Sequence, residues 1–143
     1  MREILFRAKR IDNSEWVEGY FVIGKWYLDE KERYAILPID LCFYPHCEIN
    51  EWIEIDPKTL CQYTGKSDED GKKIFEGDIV GFIDIYSTES GYSESSCLGE
   101  VIWSKEECCF HVTNRLSAES WEVLDECKLV GNVFDDKEIL EDF

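Results

Sequence analysis

A chain of 143 residues and 16.8 kDa with 32 acidic against 15 basic side chains carries a formal net charge of −17. A surface this negative repels phosphate backbones and anionic lipid, and no Lys/Arg cluster offsets it locally, so direct nucleic-acid contact and membrane-surface binding are not expected. The apolar fraction of 44%, with 5 Trp, 7 Tyr and 8 Phe, argues equally against disorder, which needs low hydrophobicity as well as charge.

The opening run MREILFRAKRIDN holds no apolar core of the kind a secretory leader needs, and no stretch approaches the roughly 18 residues of a membrane helix. The expectation is a cytoplasmic protein with reduced thiols. Seven cysteines are an odd number and are read mainly as small buried hydrophobes. No repeat and no long linker divides the chain, so one domain over residues 1–143 is expected.

Hydrophobic periodicity is close to two. Ile4, Phe6 and Ala8 share one face of an opening strand, Asp12 and Asn13 supply turn chemistry, and Trp16 to Ile23 form the second strand of a hairpin. Lys25 to Leu28 and Arg33 to Leu37 flank a polar run and predict a second hairpin, ended by Pro38. Residues 40–51, with Pro45 among mixed Cys, His and aromatic residues, predict an irregular loop. Trp52 to Ile55 pair briefly before Asp56-Pro57 turns the chain.

Leu60 to Thr64 and Ile74-Phe75 bracket a polar loop whose Asp70-Gly71 step favours a tight turn, and Gly77-Asp78 is a second turn. Ile79 to Tyr86 then read as a well-buried strand. Residues 87–96, with five serines and two glutamates among ten, predict a disordered hairpin tip. Leu98 to Trp103 and Cys109 to Thr113 alternate on either side of Ser104 to Glu107 and predict another hairpin. Leu116 to Cys127 fit either a short helix capped by Ser117 or a strand through Trp121-Leu124, with the strand preferred. Leu129 to Phe134 read as strand, and Asp135 with Glu138 gives a capping-box start to a final helix docking Ile139, Leu140 and Phe143. The fold class is mainly β, built of antiparallel hairpins with a short C-terminal helix.

The run Cys61-Gln62-Tyr63-Thr64-Gly65, followed by Asp70-Gly71-Lys72-Lys73-Ile74-Phe75-Glu76-Gly77-Asp78-Ile79-Val80, resembles the signature of the YopX family of small bacteriophage and prophage proteins. Arg2-Glu3-Ile4 with Phe6-Arg7-Ala8, and Val130-Gly131-Asn132-Val133-Phe134 before an acidic end, resemble that family's two termini, so the likeness spans nearly the whole chain. Lys66 departs from it, standing where the family carries an apolar residue, and residues 41–51 and the serine-rich loop match nothing in it. The resemblance implies one YopX-like domain: an N-terminal hairpin region over 1–60, an SH3-like-barrel-type region over 61–134 and a terminal helix over 135–143. It implies phage or prophage origin and no particular activity.

Within the signature, Gln62, Tyr63, Thr64, Gly65, Asp70, Gly71, Gly77 and Asp78 form a double turn. They read first as structural turn chemistry and alternatively as a binding surface with Tyr63 as its anchor. Cys42, His46, Cys47 and Cys61, with Cys108, Cys109 and His111 later, lack the paired spacing of a zinc knuckle, so no metal and no cofactor is expected. Cys47 beside His46, or Cys108 near His111, would pair a thiol with a base, although His46 is poorly placed if its segment is extended, and no phosphate loop, dinucleotide fingerprint or hydrolase elbow is present.

Residues 1–73 hold 11 basic and 15 acidic side chains while residues 74–143 hold 4 and 17, so the acid gathers in the second half. It reads either as a solvated face or as a decoy competing with nucleic acid for a DNA-binding protein. The functional expectation is a non-enzymatic phage accessory protein. It would act by contact with an unknown protein partner, or by self-association, through exposed β edges or the turns after Cys61, with the acidic decoy as the alternative.

Overall fold

The computed structural model describes residues 1–25, 28–39, 52–114, 121–123 and 126–141. The chain is mainly β and divides into two compact units, Met1–Tyr63 and Thr64–Phe143. The expected loop over residues 40–51, with Cys42, His46 and Cys47, lies outside the described residues, as does most of the ambiguous Leu116–Cys127 stretch.

In the first unit β1 (Phe6–Lys9), β2 (Trp16–Lys25), β3 (Glu32–Pro38), β4 (Ile53–Glu54) and the start of β5 (Cys61–Ser67) form antiparallel pairs in the order β4-β3-β2-β1-β5. The strand β1 begins at Phe6, not Ile4, which is exposed while Leu5 is fully buried. The strand β2 runs to Lys25, and its Gly19–Lys25 part pairs with β3, from Gly19 opposite Pro38 to Lys25 opposite Glu32, while residues 26 and 27 of the expected Lys25–Leu28 strand lie outside the described residues. A single long strand satisfies more ladder bonds than two short ones. Ala8, Ile36 and Ile55 form the core, with Phe6, Phe21 and Tyr34 against it. A 3-10 turn at Pro57–Thr59, capped by the Asp56 carboxylate on the Lys58 N–H at 3.0 Å, brings the Thr59 hydroxyl within 2.8 Å of the Lys9 N–H.

In the second unit β5 runs on and pairs with β6 (Lys73–Phe75). A five-stranded antiparallel sheet follows, made of β7 (Asp78–Thr88), β8 (Gly91–Ser104), β9 (Cys109–Thr113), β10 (Trp121–Glu122) and β11 (Lys128–Asn132) in the order β10-β9-β8-β7-β11. Its described strands end at β10 and β11, and no pairing that would close it into a barrel is among them. One face carries the core: Val80, Phe82, Val101, Val112, Val123 and Cys127, with Trp121 tilted against Phe82 at 5.1 Å.

The sequence between 87 and 96 is not a disordered tip. It is paired strand up to a two-residue turn at Glu89-Ser90, with Ser87 opposite Tyr92 and Thr88 opposite Gly91. Its serines bury little, but the alternation that starts at Ile79 keeps the ladder in register to the turn. Correspondingly, β7 is buried only as far as Phe82. The final helix α1 (Glu138–Glu141) is a single turn with no buried residue. Glu138 is its first residue rather than its third, and Asp135 instead lies 3.3 Å from the Asn132 amide.

Candidate functional site

The signature residues form two consecutive turns held by carboxylates. Gly65, Gly71 and Gly77 all sit at positive φ (88°, 81° and 83°), a region glycine enters without steric cost. Asp78 is 1% exposed, and its carboxylate accepts the Phe75 N–H at 2.7 Å, closing the Gly77 turn. The Gly77 N–H donates to the Val101 carbonyl at 2.8 Å and its own carbonyl accepts from Val133, so this turn lies against β8 and the residues after β11. Thr64 donates its hydroxyl to the Ile74 carbonyl at 2.8 Å, Gln62 sits opposite Phe6, and Tyr63 is buried with its N–H on the Leu5 carbonyl. Asp70 and Gly71 form the exposed tip of the loop.

The residue that organises this loop is Asp68, which sequence reasoning passed over. One of its oxygens accepts the N–H groups of Asp70 (3.0 Å) and Lys72 (2.8 Å), and the other accepts that of Leu129 in β11 (3.0 Å). The Leu129 N–H foremost, then those of Lys72 and Asp70, hold its carboxyl below the ordinary carboxylate range against the opposing effect of burial. The ionised form is therefore the one that stabilises the fold. Its contribution is complete above the unfolded carboxyl pKa and is lost as pH falls through the lower folded value. Asp68→Asn is accordingly expected to lower Tm by several degrees at pH 7, with the gap to the parent protein closing below about pH 4; melts across pH 3–7 check it, and a pH-independent gap would contradict it.

The opposite face of the β7–β8 hairpin is largely uncovered. Ile83 and Ile85, 57% and 62% exposed, stand in register with Ser96 and Glu94, and Tyr92 at 83% lies beyond them on the same face. Gly81 in the same row leaves room for Leu98 and Val130, which a β-carbon there would meet at 3.4 and 3.6 Å. The result is an open groove of about 820 Å³ with isoleucine and leucine in its floor and Glu69, Glu94, Glu126 and Lys128 at its rim. Among the described residues β11 reaches β7 only at 78–81 and β9 reaches β8 only at 100–104, so residues 82–99 have strand pairing within the β7–β8 hairpin alone, apart from the Asn114 side-chain amide that donates to the Leu98 carbonyl at 3.0 Å.

Of the thiols the sequence singled out, Cys108 does not meet His111. It occupies a left-handed turn position (φ 55°) with its thiol on the Lys105 carbonyl at 3.7 Å. Cys109 does: its sulfur lies 3.0 Å from His111 Nε2, and the Glu107 carboxylate lies 2.8 Å from the same nitrogen. Burial first, then the carboxylate of Glu107 and the neighbouring Cys108 and Glu122, push the Cys109 thiol above its ordinary range. A thiol held protonated is a poor nucleophile.

A family model described as YopX protein matches residues 5–141. No curated protein matches the chain. Among solved structures the chain is similar to the crystal structure of protein EF1440 from Enterococcus faecalis, with 19% identity, 98% of this chain and 99% of that chain covered, and a TM-score of 0.47.

Proposed function

The chain belongs to the YopX family, and we propose that it is a non-enzymatic accessory protein of a phage or prophage whose β7–β8 ribbon binds a basic protein partner. The observation that carries this reading is the pair of exposed isoleucines, Ile83 and Ile85, on a ribbon paired only with itself among the described residues. A two-stranded hairpin is at best marginally stable in water, and an apolar patch rimmed by polar groups is the usual mark of a contact surface. Between 82 and 97 the chain carries Asp84, Glu89 and Glu94 and no Lys or Arg. Like charges facing one another across an interface are costly, which disfavours a second copy and favours a partner with basic residues around an apolar spot.

The test is site-specific photocrosslinking from position 85 in the host cell. The expected adduct is a basic protein, absent when the same probe is carried by the Ile83→Ser/Glu94→Lys chain, and bound in purified form with an affinity that falls steeply between about 50 and 500 mM salt. An adduct with a second copy, or salt-independent binding, would overturn the basic-partner reading. Displacement of that partner by excess duplex DNA would identify the acidic-decoy mode of action, which the excess acid of residues 74–143 favours.

A further inference from the structure

The four-residue loop Lys105–Cys108 joins β8 to β9, with Ser104 opposite Cys109 in the register. The left-handed turn at Cys108 folds Glu107 back over the strand, and the period of two puts Cys109 and His111 on one face of β9. The ligand atoms of Glu107, Cys109 and His111 consequently lie within 4.8 Å of one another. Two of the contacts converge on a single atom: the Cys109 sulfur at 3.0 Å and the Glu107 oxygen at 2.8 Å both address His111 Nε2.

A neutral imidazole cannot serve both well. If Nε2 carries the proton it donates to the carboxylate and has no lone pair for the thiol; if it does not, its lone pair faces the negative oxygen. We propose that Glu107, Cys109 and His111 form a site for one divalent transition-metal ion, with zinc the chemistry that fits the sulfur, nitrogen and oxygen donors best. Zinc bonds to sulfur at about 2.3 Å and to nitrogen and oxygen at about 2.0–2.2 Å, so a tetrahedral set needs donor separations of roughly 3.4–3.6 Å. Both contacts to Nε2 fall short of that by less than about 1 Å, within the reach of a rotamer adjustment at Glu107, which is well exposed. Glu122, opposite His111 in the register, adds negative charge beside the site. Binding displaces the thiol proton to solvent as the sulfur–metal bond forms, with no change of oxidation state. The site does not depend on the ribbon's partner.

The experiment uses the full chain, reduced and freed of metal by chelation, titrated with cobalt(II) as a spectroscopic probe and with zinc by competition. The expected result is one equivalent bound, with the near-ultraviolet thiolate-to-cobalt band that only a cysteine ligand gives. Cys109→Ser should abolish that band, His111→Gln should weaken binding about 100-fold or more, and Cys108→Ser should leave both unchanged. Melts of each metal-free variant establish that it folds, and in the parent chain zinc should raise Tm in a concentration-dependent way. A band that survives Cys109→Ser, a band lost with Cys108→Ser, or no cobalt binding by the folded parent chain would overturn the assignment.

Discussion

Replacing Phe75 by alanine is expected to destabilise the protein by about 3–5 kcal/mol, measured as a fall in the urea midpoint without a change in slope. Phe75 is the largest of the fully buried side chains at 1% exposure, and its neighbour Ile74 is at 0%. Adjacent residues of a strand point to opposite faces, so β6 is covered on both sides and cannot relax by turning the truncated side chain toward water. The Phe75 N–H is also fixed on the Asp78 carboxylate, which ties the ring's backbone to the Gly77 turn and limits collapse around the cavity. For a chain whose total stability is expected near 5–15 kcal/mol, this loss is a large share of the whole. Phe75→Leu, which keeps most of the volume, is expected to cost below about 1.5 kcal/mol. Equal effects of the two substitutions would show that the ring is not packed as described.

Gly19→Ala is expected to cost about 3 kcal/mol, although it adds only a methyl group. Gly19 is the crossing point of the first unit's sheet, opposite Phe6 on one side and Pro38 on the other. A β-carbon there runs into the Leu37 carbonyl oxygen and comes within 2.8 Å of Ile36 Cγ2. A carbonyl in a ladder cannot swing aside as a side chain can, so the β2–β3 pairing must open to admit the methyl. Gly24 in the same strand supplies the control: nothing lies within 4 Å of a β-carbon there, and Gly24→Ala is expected to be neutral or stabilising by up to about 1 kcal/mol. Urea titration of the two variants side by side separates steric collision from a general intolerance of alanine in this strand.

How much of this was legible in the sequence depended on whether the deciding partner was near in the chain. The β8–β9 hairpin was readable because Leu98–Trp103 and Cys109–Thr113 alternate around a short polar loop, and the Gly71 and Gly77 turns because positive φ announces itself as glycine. Asp68 was not, since its third hydrogen bond goes to Leu129, sixty-one residues away, and nothing in Ser67-Asp68-Glu69-Asp70 distinguishes it from its acidic neighbours. In the ribbon the serine-rich composition over 87–96 points to disorder, while the register begun at Ile79 carries those serines in paired strand to the turn. The Cys109–His111 pair sat in plain view at strand spacing. Its spacing is not that of a zinc knuckle, a geometry that belongs to a different kind of site, and the turn that adds Glu107 to it leaves no mark in the sequence.

The pairing of β11 with β7 also fixes an order of events during synthesis. The β7–β8 hairpin closes through two residues, and hairpins of this kind form in about 1–10 μs once both strands are available. Leu129, which sits opposite Val80, is added 29 residues after Glu100, the last residue of β8 to pair with β7. At about 5–20 residues per second this leaves the outer edge of Ile79 and Val80 without its partner strand for several seconds, and an unpaired apolar edge is where a nascent chain recruits the wrong strand. Yield on expression should therefore respond to growth temperature and chaperone supply through Ile79 and Val80 more than through the exposed Ile83 and Ile85 of the groove.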